Sequence, residues 1–512
     1  MAAAVCQHAL QRPQHAALRF GGQTTSYLQL WQAVLAATRT LQAVGVQPGD
    51  RVAYLGLNDP ALVVLLLALA RLGAICVPLN YRLAPVELQA IVENAGVMLL
   101  IADEMHGPAA HQLAKPKQTT ALRGTQVLAA QRMCSEGLAC RVTDLPTAGQ
   151  AAQAATAPRL PALQGHPAAP VLLVYTSGTT GKPKGALHTQ AALCANCSMS
   201  AHAHDLAPTD HVLTVLPMFH VGGLCIQTLP ALVAGASVSL HARFDAGAWL
   251  DAVAQQRPTL SLLVPATMRA VLQHPRFSST DLSSLRQISA GASTVADSLI
   301  APFHARGVPV CQVYGATETG PVSIYLQRSD ALQQVGSAGK AGLGVQVRLV
   351  NPKELDVPQG SIGELWLRGP NVMLQYWQDP HNSAFQHGWF HTGDLARQDA
   401  QGFYWVVGRS KDMIISGGEN IYPAELENLL ADCPAIAEAA VVGQPDATWG
   451  EVAVAVVVVQ QGSVLSAADV LALFDGKLAR FKHPRRVVFA ASLPKTATGK
   501  VQKEALQLQV LN

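Results

Sequence analysis

The chain has no long apolar run. Its longest, at 61–70, stops at Arg71 and Gly73, and crossing a bilayer takes about 20 residues. A membrane span is not expected, and the run reads as a buried core helix. Asn58-Asp59-Pro60 ahead of it has the composition of a helix cap with proline in the first turn. Charge imbalance is missing too. The 36 basic and 33 acidic residues leave a net charge of +3, which gives no reason to expect nucleic acid or a membrane surface as partner. Charge is scarce overall, at 13% against 49% hydrophobic residues, the balance of a well-buried globular enzyme. Residues 1–20 carry His8, Arg12, Pro13 and Arg19 and lack the apolar core of a secretory signal. The nine cysteines form an odd, dispersed set, which suggests reduced thiols and a cytoplasmic protein. Single cores stop growing near about 250–300 residues, so a chain of 512 should hold at least two domains.

Cys194 and Cys197 make a Cys-x-x-Cys pair with His202 and His204 close behind. Zinc would want such ligands, but no second cysteine pair follows, and one face of a helix is the plainer reading. Strand-like and helix-like pieces alternate through the first hundred residues: a strand at 51–55, a helix at 60–72, a strand at 74–78. This βαβ rhythm favours parallel sheets covered by helices. Residues 145–170, rich in Ala, Gln, Gly and Pro, read as a loose connection. From 335 to 407 the pattern changes to short β-branched bursts, at 345–350, 363–368 and 402–407, as in antiparallel strands or a small barrel. A separate α+β piece follows, with a helix at 423–430 and a strand at 452–459. The expected domains are 1–408 and 412–512, with 409–411 as the connection.

The densest signal lies at 175–185, Tyr-Thr-Ser-Gly-Thr-Thr-Gly-Lys-Pro-Lys-Gly, directly after the apolar stretch at 171–174. A buried strand feeding a loop of glycines and hydroxyls presents backbone N–H groups to an anion. Polyphosphate is the obvious guest. The loop is not a Walker A loop: Gly178 stands three residues before Gly181, and Lys182 is followed by Pro183. Five further segments stand out. They are Leu-Pro-Met-Phe-His-Val-Gly-Gly at 216–223, Val-Tyr-Gly-Ala-Thr-Glu-Thr-Gly at 313–320, Trp-Phe-His-Thr-Gly-Asp-Leu at 389–395, Gly-Arg-Ser-Lys-Asp-Met-Ile-Ile-Ser-Gly-Gly-Glu-Asn at 408–420, and Pro-Lys-Thr-Ala-Thr-Gly-Lys-Val at 494–501. Singly, each has a bland reading: Asp394 closing a tight turn, His220 a core histidine, Glu318 a helix cap, Lys500 a solvated charge.

In this order and spacing the six segments resemble the adenylate-forming enzymes, and most of all bacterial AMP-forming acyl-CoA synthetases. The likeness spans about residues 10 to 505. It implies a large N-terminal AMP-binding domain of two parallel-type α/β subdomains plus a small β-barrel, and a smaller mobile α+β C-terminal domain. It also implies a two-step reaction: carboxylate and ATP give acyl-AMP and pyrophosphate, then acyl-AMP and coenzyme A give acyl-CoA and AMP. Adenylation replaces an oxide leaving group with AMP. Donors aimed at the departing pyrophosphate, with Mg2+, lower the barrier.

Residue roles follow from the same resemblance. The loop Thr176, Ser177, Gly178, Thr179, Thr180, Gly181 and Lys184 should hold the β- and γ-phosphates, with Thr317 reaching a phosphate oxygen. Glu318 should bind Mg2+, a hard cation that wants oxygen. Tyr314, followed by Gly315, should stack on adenine opposite Gly291, Ala292 and Ser293. Asp394 should accept both ribose hydroxyls, with Arg409 assisting. Lys500 should bridge the carboxylate and the α-phosphate as a compact charge. His220, with Met268, belongs at the acyl end. Lys411 should be the hinge that alternately brings in Lys500 or the segment Gly417, Gly418 and Glu419, which lines a tunnel for coenzyme A.

The expected partner is a small carboxylic acid, with a homodimer left open. The small, apolar segments 220–223, 264–269, 291–292 and 315–316 favour an uncharged acyl tail. A medium-chain fatty acid is placed first and an aromatic acid such as a benzoate or cinnamate second. Transfer to a carrier protein, a luciferase-like oxygenation and nucleotide binding without catalysis are the rival readings.

Overall fold

The computed structural model describes residues 1–114, the backbone of 126–129, and residues 165–176, 183–291, 295–379, 381–417, 419–496 and 500–511. Most of the expected connection at 145–170 lies outside them. So do Ser177, Gly178, Thr179, Thr180, Gly181, Ala292, Ser293 and Gly418.

The apolar run folds as the helix Pro60–Leu72, with Ala61 through Leu72 all buried. Asp59 caps it by accepting from the Ala61 N–H at 2.7 Å, and Gly73 ends it in a left-handed conformation at φ 71°. A helix apolar on every side has to be covered on every side. Two sheets supply part of the cover. The first has seven strands, with Arg51–Leu55, Ile75–Leu79, Leu99–Ala102 and Pro170–Thr176 parallel in its middle. The second has nine, and its inner six, from Val310–Tyr314 through Gln287–Gly291, Leu260–Leu263, His211–Thr214 and Ser237–Leu240 to Ala16–Phe20, run parallel. Residues of both sheets share one core cluster with the helix. Among the described residues, no helix is long and apolar enough to cross a membrane.

The β-rich stretch forms a five-stranded antiparallel sheet. Its strands are Gln346–Val350, Gly363–Arg368, Trp389–Gln398 and Phe385–Gln386, with Tyr404–Arg409 also paired to Trp389–Gln398. Gly339 bridges to Tyr404 and ties this sheet to the nine-stranded one. The segment around Asp394, expected as a tight turn, is instead the middle of a ten-residue strand. Gly393, at φ 67°, takes the kink there, which spares the strand from ending. A fourth sheet lies beyond Asp412. Ile414–Ser416, Glu419–Ile421, Ile436–Asp446, Gly450–Val459 and Arg486–Phe489 build it, and the helix Pro423–Ala431 packs on it through Leu426 and Leu430.

Candidate active site

Four of the motif segments meet where strands of different sheets come together, three of them at strand ends and Asp394 within a long strand. Thr176 closes Pro170–Thr176, and Lys184 opens the antiparallel partner Lys184–Thr189, so the two flank the phosphate-type loop as a paired register position. Lys184 holds its ammonium 5.2 Å from the centre of the Tyr376 ring. The Tyr376 hydroxyl in turn donates to Glu318 Oε1 at 2.7 Å. Glu318 sits in the single turn Thr317–Thr319, two residues after the bend at Gly315–Ala316. At Gly315 the chain has no room for a side chain: a Cβ would stand 2.3 Å from the Pro321 carbonyl oxygen.

His188 fixes that turn from below. It is fully buried, and burial pushes its pKa down to about 4. It is therefore neutral at physiological pH, and its Nε2–H is free to donate to the Thr317 carbonyl at 2.8 Å. One hydrogen bond thus couples the loop strand to the Glu318 turn.

The third convergence is at Asp394. Its Oδ2 accepts from the Tyr314 hydroxyl at 2.7 Å, and its Oδ1 pairs with Arg409 Nε at 2.8 Å. Tyr314 ends its strand, while Asp394 and Arg409 face each other across two antiparallel strands. Burial, and then the carboxylate beside it, hold the Tyr314 hydroxyl well above its usual range. The Asp394 charge raises the pKa of Arg409. Gly291 pairs in register with Val313, the residue before Tyr314, on the parallel strand, and a Cβ there would come 2.6 Å from the Val313 carbonyl oxygen.

Lys500 reaches this centre from the C-terminal sheet's side of the molecule. A bridge between Lys495 and Val501 frames its loop, and its N–H donates to Thr496 Oγ1 at 3.2 Å. The residue is exposed, but its ammonium end is crowded by protein. Burial first, then the Arg409 charge, lower its pKa, while Asp394 and Glu318 oppose the shift. His220 feels the same cation. Burial, then Lys500 and Arg82, push the His220 pKa down to about 4.

The sequence-expected residues thus fall into two groups. Thr176, Lys184, Gly291, Tyr314, Gly315, Thr317, Glu318, Asp394, Arg409, Lys500 and His220 lie around one centre. Lys411, Gly417 and Glu419 do not. Lys411 pairs with Glu504 at 2.7 Å, and Gly417 donates its N–H to the Trp449 carbonyl at 2.7 Å. Met268 is fully buried and packs with Leu263, Ile288 and Ala290 in the core on the other face of the nine-stranded sheet. Sequence reading missed three supporting residues. His188 and Tyr376 act as above. Asn58 clamps the strand end that leads to His220, donating to the Leu216 carbonyl at 2.9 Å and accepting from the Met218 N–H at 2.7 Å. Only Asn58 left a signal, as part of the cap before Pro60.

The donor set fits the groups that the resemblance implies. Glu318 offers hard oxygen for Mg2+, and Asp394 offers a carboxylate whose two oxygens both point into hydrogen-bonding positions. Among the described residues, no group of three or more His, Cys, Asp and Glu is arranged to hold a metal ion. Cys194 and Cys197 lie on the helix Gln190–His204, with Cys197 buried in the core.

Comparison with known proteins agrees with this geometry. Residues 5–377 match the AMP-binding enzyme family, and residues 425–500 match the C-terminal domain of AMP-binding enzymes. An indoleacetate–CoA ligase of Aromatoleum aromaticum is 46% identical over 97% of this chain and 96% of its own. A feruloyl-CoA synthase of an Amycolatopsis species is 40% identical over 97% and 96%. The crystal structure of an anthranilate CoA ligase in complex with anthranoyl-AMP superposes with a TM-score of 0.88 at 27% identity, covering 99% of this chain and 96% of the other. On these matches and this site, the chain belongs to the AMP-binding enzyme family.

Proposed function

We propose that this protein is an ATP-dependent acid–thiol ligase that activates an aromatic carboxylic acid as its acyl-adenylate and transfers the acyl group to coenzyme A. The observation that carries the adenylation step is the Arg409–Asp394 pair at 2.8 Å, with Lys500 close enough to feel the charges of both and of Glu318. The step needs positive charge where the carboxylate attacks the α-phosphate and where pyrophosphate departs. Lys500 is the compact cation for the first position, and the loop bearing Thr176 and Lys184 serves the second. Asp394, steered by Tyr314 and Arg409, orients the ribose. Mg2+ held by Glu318 would neutralise phosphate charge.

The aromatic acyl group is supported by the relatives, which are named for indoleacetate, ferulate and anthranilate. The medium-chain fatty acid becomes the second reading.

The test is product analysis with ATP, Mg2+, coenzyme A and a panel of acids: alkanoic acids of rising length, benzoates, cinnamates and arylacetates. AMP and pyrophosphate formed with an arylacetate or cinnamate, dependent on coenzyme A for thioester, is the expected result. Turnover confined to alkanoic acids would return the fatty-acid reading. ADP as product would sink the adenylation reading itself.

A further inference from the structure

Beyond His220 the chain does something uncommon. Residues Leu224–Thr228 form a turn of π-helix, with the Leu229 N–H bonded to the Leu224 carbonyl. Such turns are rare and are frequently found at functional sites. Neighbouring side chains hold this one open. Asn196 donates to the Cys225 carbonyl at 2.7 Å, Ser200 to the Ile226 carbonyl at 2.5 Å and Thr228 to the Gly223 carbonyl at 2.6 Å.

The π turn fixes where Gln227 goes. Its amide Nε2 donates to Ser289 Oγ at 3.0 Å. Its Oε1 is buried and accepts from no donor among the described residues, although Gln227 is only 2% exposed. Leaving a buried acceptor unpaired is costly, so its persistence asks for a partner. Ser289 lies two residues before Gly291 on one strand, and is paired in register with Leu262 and Cys311. Leu262, Val313 and Ile226 pack together with Val264 and Tyr314. Ser289 therefore faces the side of the sheet that leads to Gly291 and Tyr314 at the carboxyl ends of the strands, where open α/β sheets bind ligands. Gln287 also has both amide atoms unpaired, but it stands at the amino end of the same strand, a further two residues from that edge.

We infer that Gln227 is a specificity-determining residue at the floor of the acyl site, and that its Oε1 accepts a hydrogen bond from an N–H or O–H on the ring of the acid. The inference rests on the proposed aromatic-acid reading and narrows it to donor-bearing rings. A site built around a buried acceptor discriminates against an isostere without the donor far more than a purely apolar pocket discriminates by shape.

Two acids of equal shape make the test: indoleacetate, and its benzothiophene analogue, in which sulfur replaces the ring N–H. In the wild-type enzyme kcat/KM for the indole acid should exceed that for the analogue by roughly 10-fold or more. In Gln227→Met, which keeps side-chain length and removes the acceptor, that ratio should collapse toward one. The wild-type comparison alone tests the inference should the variant fold poorly. Equal use of both acids by the wild type, or a ratio that survives in Gln227→Met, would overturn the role of Gln227 and leave the aromatic reading standing. Turnover of neither acid nor of any other aromatic acid would overturn the aromatic reading, and the inference with it.

Discussion

Asp394 is engaged at both oxygens, by Tyr314 and by Arg409, so its charge shapes two neighbours as well as any ligand. Asp394→Asn keeps the shape but removes one acceptor and strands the guanidinium beside a neutral amide. The expected result is a fall of roughly 100-fold in kcat/KM for ATP in ATP–pyrophosphate exchange; a change under threefold would show that the carboxylate does not orient the nucleotide. Lys500 gives a pH signature. Its pKa lies below the usual 10.5 because its ammonium is crowded and Arg409 is near. The charged form is the useful one, so kcat/KM for adenylation should decline on the alkaline side before pH 10.5. That limb should move up in Lys500→Arg, whose guanidinium does not titrate. An unchanged limb in the arginine variant would assign it to another group.

Among the elements, the strand Lys184–Thr189 and the turn Thr317–Thr319 are joined through a neutral histidine. His188, His204, His211 and His220 all have pKa values pushed down to about 4 from 6.5, mainly by burial. In each case the unfolded chain takes up its proton first. The stabilisation is complete above 6.5 and is lost as the pH falls from there to about 4. The fully buried His188 contributes up to roughly 3 kcal/mol to that loss, from 1.36 kcal/mol per pKa unit. Tm should therefore drop steeply between pH 7 and 4.5, and the drop should be smaller in His188→Asn than in wild type. A parallel pH profile in that variant would count against a neutral His188 in the fold.

Elements of this kind explain what could be read in advance. Pro60–Leu72 and Gly363–Arg368 were legible because each is a periodic or apolar run between breakers. That Thr176, Tyr314, Glu318, Asp394, Arg409 and Lys500 come together was legible because their types and order are tied to one chemistry. His188 and Tyr376 were not, since a single buried histidine or tyrosine looks like any core residue until its partner, more than a hundred residues or some sixty residues away, is placed against it. Asp394 was misplaced in a turn because Gly393 reads as a breaker, whereas here it only kinks a long strand. The π turn at Leu224–Thr228 left no trace, because it depends on Asn196 and Ser200 from another helix.

At the scale of the whole molecule, Lys500 and the pair Gly417 and Glu419 belong to the same C-terminal region, yet only Lys500 stands near Asp394, Arg409 and Glu318. If Lys411 is the pivot between two orientations, Lys411→Pro should leave ATP–pyrophosphate exchange largely intact and lower thioester formation from supplied acyl-adenylate by roughly 100-fold. Equal loss of both would remove the pivot from Lys411. The opposite pattern is expected of Lys500→Ala, with adenylation lost and thioester formation from supplied adenylate spared. An exposed ion pair such as Lys411–Glu504 is worth at most about 1 kcal/mol, so it would be no obstacle to turning.

The position of Lys500 has a consequence for time as well as space. With that lysine already within the charge field of Asp394, Arg409 and Glu318, the described groups proposed for the first half of the reaction stand together before any thiol arrives. Labelled pyrophosphate should then pass back into ATP in the presence of the acid alone. The enzyme would keep a reversible ledger of its first step, and coenzyme A would act only to make the entry permanent.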